Sequence, residues 1–187
     1  MASSSGTFFG IQVAIRTSRN DPWRARLCDL IRDHMRDMSW QDHRGFYGAL
    51  TNLLLEATDR ATLGTWDLVP DGGAEYDDWI SGIEDDVSTP WVPDPSGAAM
   101  DHVLVSVMFL LQKHGPSAQL CGERLDLSES TWTARGTYRY LFETIPMLDH
   151  RSILGDAAFV TPGGAGLGLS LTELRGDGYQ YLDTIRK

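Results

Sequence analysis

Between Arg60 and Lys113 the chain has neither lysine nor arginine, and Lys113 and Lys187 are the only lysines in its 187 residues. With a formal net charge of −10, this argues against nucleic acid as a partner, which is held mainly by Lys and Arg on phosphate. An anionic membrane surface is disfavoured for the same reason. Cysteine is also scarce. Cys28 and Cys121 stand alone, with no CxxC and no histidine at metal-ligand spacing, so two buried thiols are expected and no metal centre. No apolar run is long enough to cross a bilayer: the best, residues 103–111, has about half the roughly 20 residues required. Membrane insertion is therefore not expected. The first residues lack the charged start and apolar stretch of a secretory leader, which makes the cytoplasm the expected location.

What is present suits one folded unit. Six Trp, six Tyr and six Phe within a 42% apolar composition supply the area a core needs, so residues 1–187 are expected to form a single α/β domain. Phe9, Ile11, Val13 and Ile15 alternate with Gln12 and Ala14, which is the period of a strand. Asn20-Asp21-Pro22 is a helix start, a capping side chain followed by proline at the first helical position. Trp23, Leu27, Leu30, Ile31 and Met35 then form one stripe to about Met38. A second helix is expected over about 42–60 on Phe46, Leu50, Leu53, Leu54 and Ala57. Residues 65–69 read as a short strand. The apolar run 102–111 reads as a central strand covered on both faces. A polar connection over 114–126 is expected next, then a helix over about 130–148, a strand over 151–160 and a short helix at 171–174. Strands separated by helices favour a mixed or mostly parallel sheet of about four strands, in the order β-α-α-β-(acidic excursion)-β-α-β-α.

The excursion, about 71–100, is where the charge segregates. It holds eight acids, with Asp67 and Asp101 just outside it, and Trp79, Ile80, Ile83 and Trp91 are threaded among them. Acid runs are usually solvated faces, but large aromatics within one either pack back on the body or offer anchors to a partner. Trp79, Ile83, Glu84, Asp85, Asp86 and Trp91 are the interaction candidates. The arm could also lie across the arginine-rich first helix of its own or a second subunit, which would give a homo-oligomer.

Residues 139–185, with Thr161-Pro162 and Leu171-Thr172-Glu173-Leu174, resemble the C-terminal segment of a domain-of-unknown-function family known mainly from cyanobacterial and chloroplast proteins. Residues 10–16 resemble that family's first strand and 102–110 its central strand. The resemblance implies an α/β fold and supplies no catalytic residue. The family's Gly/Ser-rich, membrane-associated N-terminal region has no counterpart in these residues, and the acidic arm has none in the family.

No catalytic constellation stands out. The loop Gly163, Gly164, Gly166, Gly168 follows an expected strand but fits neither GxGxxG nor a P-loop, so a flexible connection is the plainer reading. His34, His43, His102, His114 and His150 lack metal spacing and read as ordinary surface or capping histidines. His102 beside Asp101 is the best-placed base. No GxSxG elbow is present, and no cofactor is implied. The function expected first is a non-enzymatic interaction or assembly protein, acting through self-association or a protein partner. The alternative is a small-molecule or anion-binding domain, or a small enzyme, with its site at the strand ends.

Overall fold

The computed structural model describes residues 5–33, 39–88 (backbone alone over 84–88), 99–163 and 167–187. Five strands form one sheet in the order β4-β3-β1-β2-β5: β1 Gly6–Arg16, β2 Ala61–Val69, β3 His102–Gln112, β4 Ile153–Thr161 and β5 Asp183–Thr184. Every hydrogen-bonded pair is antiparallel. The expectation of a mixed or mostly parallel sheet is thereby corrected.

Helix count explains the directions. The helices α1 Pro22–Arg32 and α2 Trp40–Ala57 lie between β1 and β2. Two antiparallel helices return the chain to the end of the sheet it left, so the next strand runs back. The same holds between β3 and β4, which are separated by α4 Pro116–Arg124 and α5 Arg135–Thr144. Only α3, Gly73–Ser88, separates β2 from β3. Those two do point the same way, but β1 lies between them. With 114–126 expected as a polar connection, one helix would separate β3 from β4 where the structure has two. Gly115-Pro116, the N-cap and first residue of α4, is the local signal of the extra helix. The continuous apolar run of β3 reflects burial on both faces, which does not depend on strand direction.

Some local expectations hold and others shift. The helix expected over about 130–148 is α5 alone, flanked by 3-10 turns, and the strand expected at 65–69 begins at Ala61. The end of the first helix expected near Met38 lies outside the described residues. The Asp21 side chain accepts from the Trp23 N–H and Pro22 opens α1. Burial disfavours the Asp21 charge, but that N–H, the Thr17 hydroxyl and Arg60 together keep its carboxyl below the usual value. Ser39 and Asp42 close a capping box at the start of α2. The short helix expected at 171–174 is instead one 3-10 turn, Glu173–Arg175. The tail then supplies the fifth strand. Cys28 and Cys121 are both buried thiols, and burial pushes Cys121 up to about 12.

The sheet has helices on both faces, in unequal amounts. Phe9, Ile11, Val13 and Ile15 of β1 and Val103, Val105, Val107 and Phe109 of β3 form the main core with α1, α2, α4 and α5. On the opposite face two smaller clusters sit side by side. Phe8, Met108 and Leu110 pack under Tyr76, Trp79, Ile80 and Ile83 of α3. Ala14, Leu63 and Leu104 pack under Leu169, Leu174 and Leu182 of the C-terminal chain. Between the clusters runs a polar row, where strand register sets Gln12 opposite both Thr65 and Ser106.

Candidate functional site

That polar row forms the floor of a cavity of about 410 Å³. Gln12, 3% exposed, donates from Nε2 to Ser106 Oγ at 3.0 Å. Its side-chain oxygen takes no hydrogen bond from the described residues, which leaves an acceptor on the floor. Thr65 and Asp67 continue the floor along β2. Trp79, Ile83, Gly82 and Asp78 of α3 make one wall, and Gly178 and Tyr181 of the tail make the other.

Trp79 is seated by what β1 lacks. A Cβ on Gly10 would lie 2.9 Å from the Trp79 ring, so the indole rests on bare backbone. Phe8 meets it edge-on at 5.0 Å and Tyr76 at 6.4 Å. These contacts dock α3 onto its own sheet. Ile83 is buried there and Trp79 half-buried. Glu84, Asp85 and Asp86 lie on the last turns of α3, where only the backbone is described, and Trp91 lies outside the described residues.

No Lys, Arg or His lines the cavity among the described residues. The 61–112 stretch, which supplies Thr65, Asp67 and the α3 wall, carries no Lys or Arg. The Asp67 side chain is accessible, yet protein packed around it and the carboxylate of Glu75 hold its carboxyl above the usual value. An uncompensated carboxylate between aromatic surfaces attracts a cation.

The alternative site of the sequence reading is dispersed. Asp101 bonds Arg16 at 2.8 Å and borders an open concavity with Asp21, Asp59, Arg60 and Arg135. His102 lies behind it, buried by backbone pairing with Leu169. Its Nδ1 is 2.8 Å from Asp101 Oδ1, outside hydrogen-bond alignment. Gly168 packs against the Met100 carbonyl. Gly163 follows the end of β4, and Gly164 and Gly166 lie outside the described residues.

Two histidines read as ordinary prove to be clustered. His43 and Tyr47, one turn apart on α2, meet Asp156 of β4: Tyr47 donates to Asp156 Oδ2 at 2.6 Å, and His43 Nδ1 lies 3.2 Å from the same oxygen. Burial, then Asp156, push the Tyr47 hydroxyl well above its ordinary value, so Tyr47 is a neutral donor. The His150 ring stacks on Tyr47 at 5.7 Å, and neither of its nitrogens has a hydrogen-bond partner among the described residues. A polar residue within strand β4, Asp156, was the available signal. No group of three His, Cys, Asp or Glu among the described residues is placed to hold a metal ion.

The cluster gives a pH prediction. Burial holds His150 below its ordinary value of 6.5, outweighing the pull of Asp156. Burial does the same to His102 against Asp101. A depressed histidine stays neutral in the fold while the unfolded chain takes up a proton, so stability is lost as pH falls from 6.5 towards the folded value. His150→Phe keeps a ring against Tyr47 and is expected to flatten the decline in melting temperature between about pH 7 and pH 5. An unchanged slope would contradict a neutral buried His150.

Comparisons of the chain with protein-family models, with curated proteins and with solved structures found no match. Among the described residues no helix is long and apolar enough to cross a membrane.

Proposed function

We propose that the chain is a small-molecule-binding domain whose cavity, between α3 and the C-terminal tail, takes a small organic cation. One observation carries this reading: a cavity of about 410 Å³ lined by Asp67, Asp78, Trp79 and Tyr181, with no cationic side chain among the described residues of its lining. The volume falls in the range of about 300–1,000 Å³ that small-molecule sites occupy. A carboxylate beside an indole and a phenol face suits an ammonium group. The Gln12 oxygen and Thr65 hydroxyl on the floor can orient a polar tail. An anion would meet two carboxylates with nothing to offset them.

A thermal-shift screen with putrescine, choline and, as anionic control, succinate tests the class. A cation at about 100 times its dissociation constant adds about 2.7 kcal/mol of stability, or roughly 5–10 °C for a chain of this size. The control is expected to add nothing. Equal shifts from succinate, or none from any cation, would remove the reading.

A second reading keeps the acidic arm as a contact surface, supported by the exposed carboxylates of Glu75, Asp77 and Asp78 on α3. With Trp79 and Ile83 turned onto the sheet, that surface would act by charge rather than by aromatic anchors.

A further inference from the structure

The two edges of the sheet are treated differently. At the β2 edge the tail covers the first half of the strand: β5 pairs with Leu63 and Gly64, and the Ile185 N–H donates to the Thr62 carbonyl at 2.9 Å. Trp132 also stands edge-on to Trp66 at 5.6 Å. At the opposite edge, β4 runs nine residues bonded to β3 along one side. Among the described residues no backbone group pairs with its other side.

Exposed edges normally carry a guard, such as lysine, proline, an outward charge or a covering segment, because unpaired N–H and C=O groups template pairing with another chain. The β4 sequence, ILGDAAFVT, has no Lys, Arg or Pro. Its one charge, Asp156, is turned inward to Tyr47 and His43. Within it Leu154 is 54% exposed, and Trp40, which shares a small cavity with Ile153, is 38% exposed.

We propose that β4 pairs antiparallel with β4 of a second copy of this chain about a two-fold axis, joining two five-stranded sheets into one of ten strands. The occupant follows from symmetry. An antiparallel ladder is complementary to its own reverse, so one strand edge can satisfy itself across a two-fold axis. With the axis perpendicular to the sheet, the main-core faces of both copies lie on the same side. The pairing leaves the cavity between α3 and the tail untouched, so this proposal and the cation site stand or fall separately.

Charge makes the mode testable. Two copies at −10 each repel, and salt screens that repulsion, so edge pairing is unchanged or strengthened by salt. Assembly of the acidic arm on arginines would weaken. Sedimentation velocity of the full chain, at concentrations on the order of 100 μM, is expected to give twice the 20.8 kDa chain mass. Leu154→Lys, which restores an edge guard at an exposed position, is expected to raise the dissociation constant about tenfold or more. Hydrogen exchange on the unmodified protein, dilute against concentrated, should show alternate β4 amides gaining protection in the dimer. A monomer throughout, a salt-dissociated dimer, or a dimer whose β4 amides exchange as in dilute solution would each overturn the proposal.

Discussion

Phe8→Ala is expected to destabilise the protein by about 3–5 kcal/mol and to abolish the cavity between α3 and the tail. Phe8 is fully buried and is the residue of β1 on which Tyr76 and Trp79 both lean. Truncation removes its transfer free energy and leaves a void that the strand backbone cannot fill, with Gly10 and Gly72 as its nearest small neighbours. At roughly 2–4 °C per kcal/mol for a chain of this length, the melting temperature should drop by about 6–20 °C. Urea unfolding followed by tryptophan fluorescence measures the same loss. A cost below about 1 kcal/mol would mean that α3 is not anchored there, and the cavity would lose its wall.

Asp67→Asn is expected to act in two opposed ways, raising the stability of the free protein and removing cation binding. The sign follows from the raised carboxyl of Asp67. Below the ordinary value of 3.8 both folded and unfolded chains hold the proton, and the residue contributes nothing. As pH rises through 3.8 towards the higher folded value, the unfolded chain ionises first, and native stability is lost by an amount that stays constant at higher pH. The asparagine variant should therefore melt higher than the parent at neutral pH, with the gain vanishing in acid. A bound cation reverses the balance by giving the ionised carboxylate a partner, so the parent gains from ligand what the variant cannot. Melting curves of both proteins against pH, with and without putrescine, read both effects. A variant less stable than the parent at neutral pH would mean that Asp67 already has a stabilising partner.

How much of this was legible in the sequence depended on whether the signal was local. The Asp21-Pro22 start of α1, the apolar stripe of α2 and the alternation of β1 are short-range patterns, and they fell where the structure has them. Strand direction was not legible in the same way. It turned on the parity of helices between strands, and α4, nine residues opened by Gly115-Pro116, is too short for its periodicity to stand out from a polar loop. The acidic arm was seen as an anomaly for the right reason, its aromatics, but the sequence could not say which surface Trp79 and Ile83 would cover. The rest of the cavity was missed because β1, β2, α3 and the tail each contribute a few residues, none a motif alone. Gln12 and Ser106 were the quiet signals. A polar side chain inside each of two otherwise apolar strands implies that the two are paired or that something polar lies above them, and here the two are hydrogen-bonded to each other beneath a cavity. Asp156 carried the same information for the His43–Tyr47 cluster.

Calorimetric titration of putrescine into the protein and into Gly82→Leu tests whether a cation enters the cavity between α3 and the tail. Gly82 lines the cavity, and a Cβ there meets nothing within 4 Å, so the variant narrows the site while the helix itself gains up to about 1 kcal/mol in propensity over glycine. One-site binding to the parent, with at least about tenfold weaker binding to a folded variant, is the predicted result. Equal binding to both, or heat of dilution alone in the parent, would contradict it.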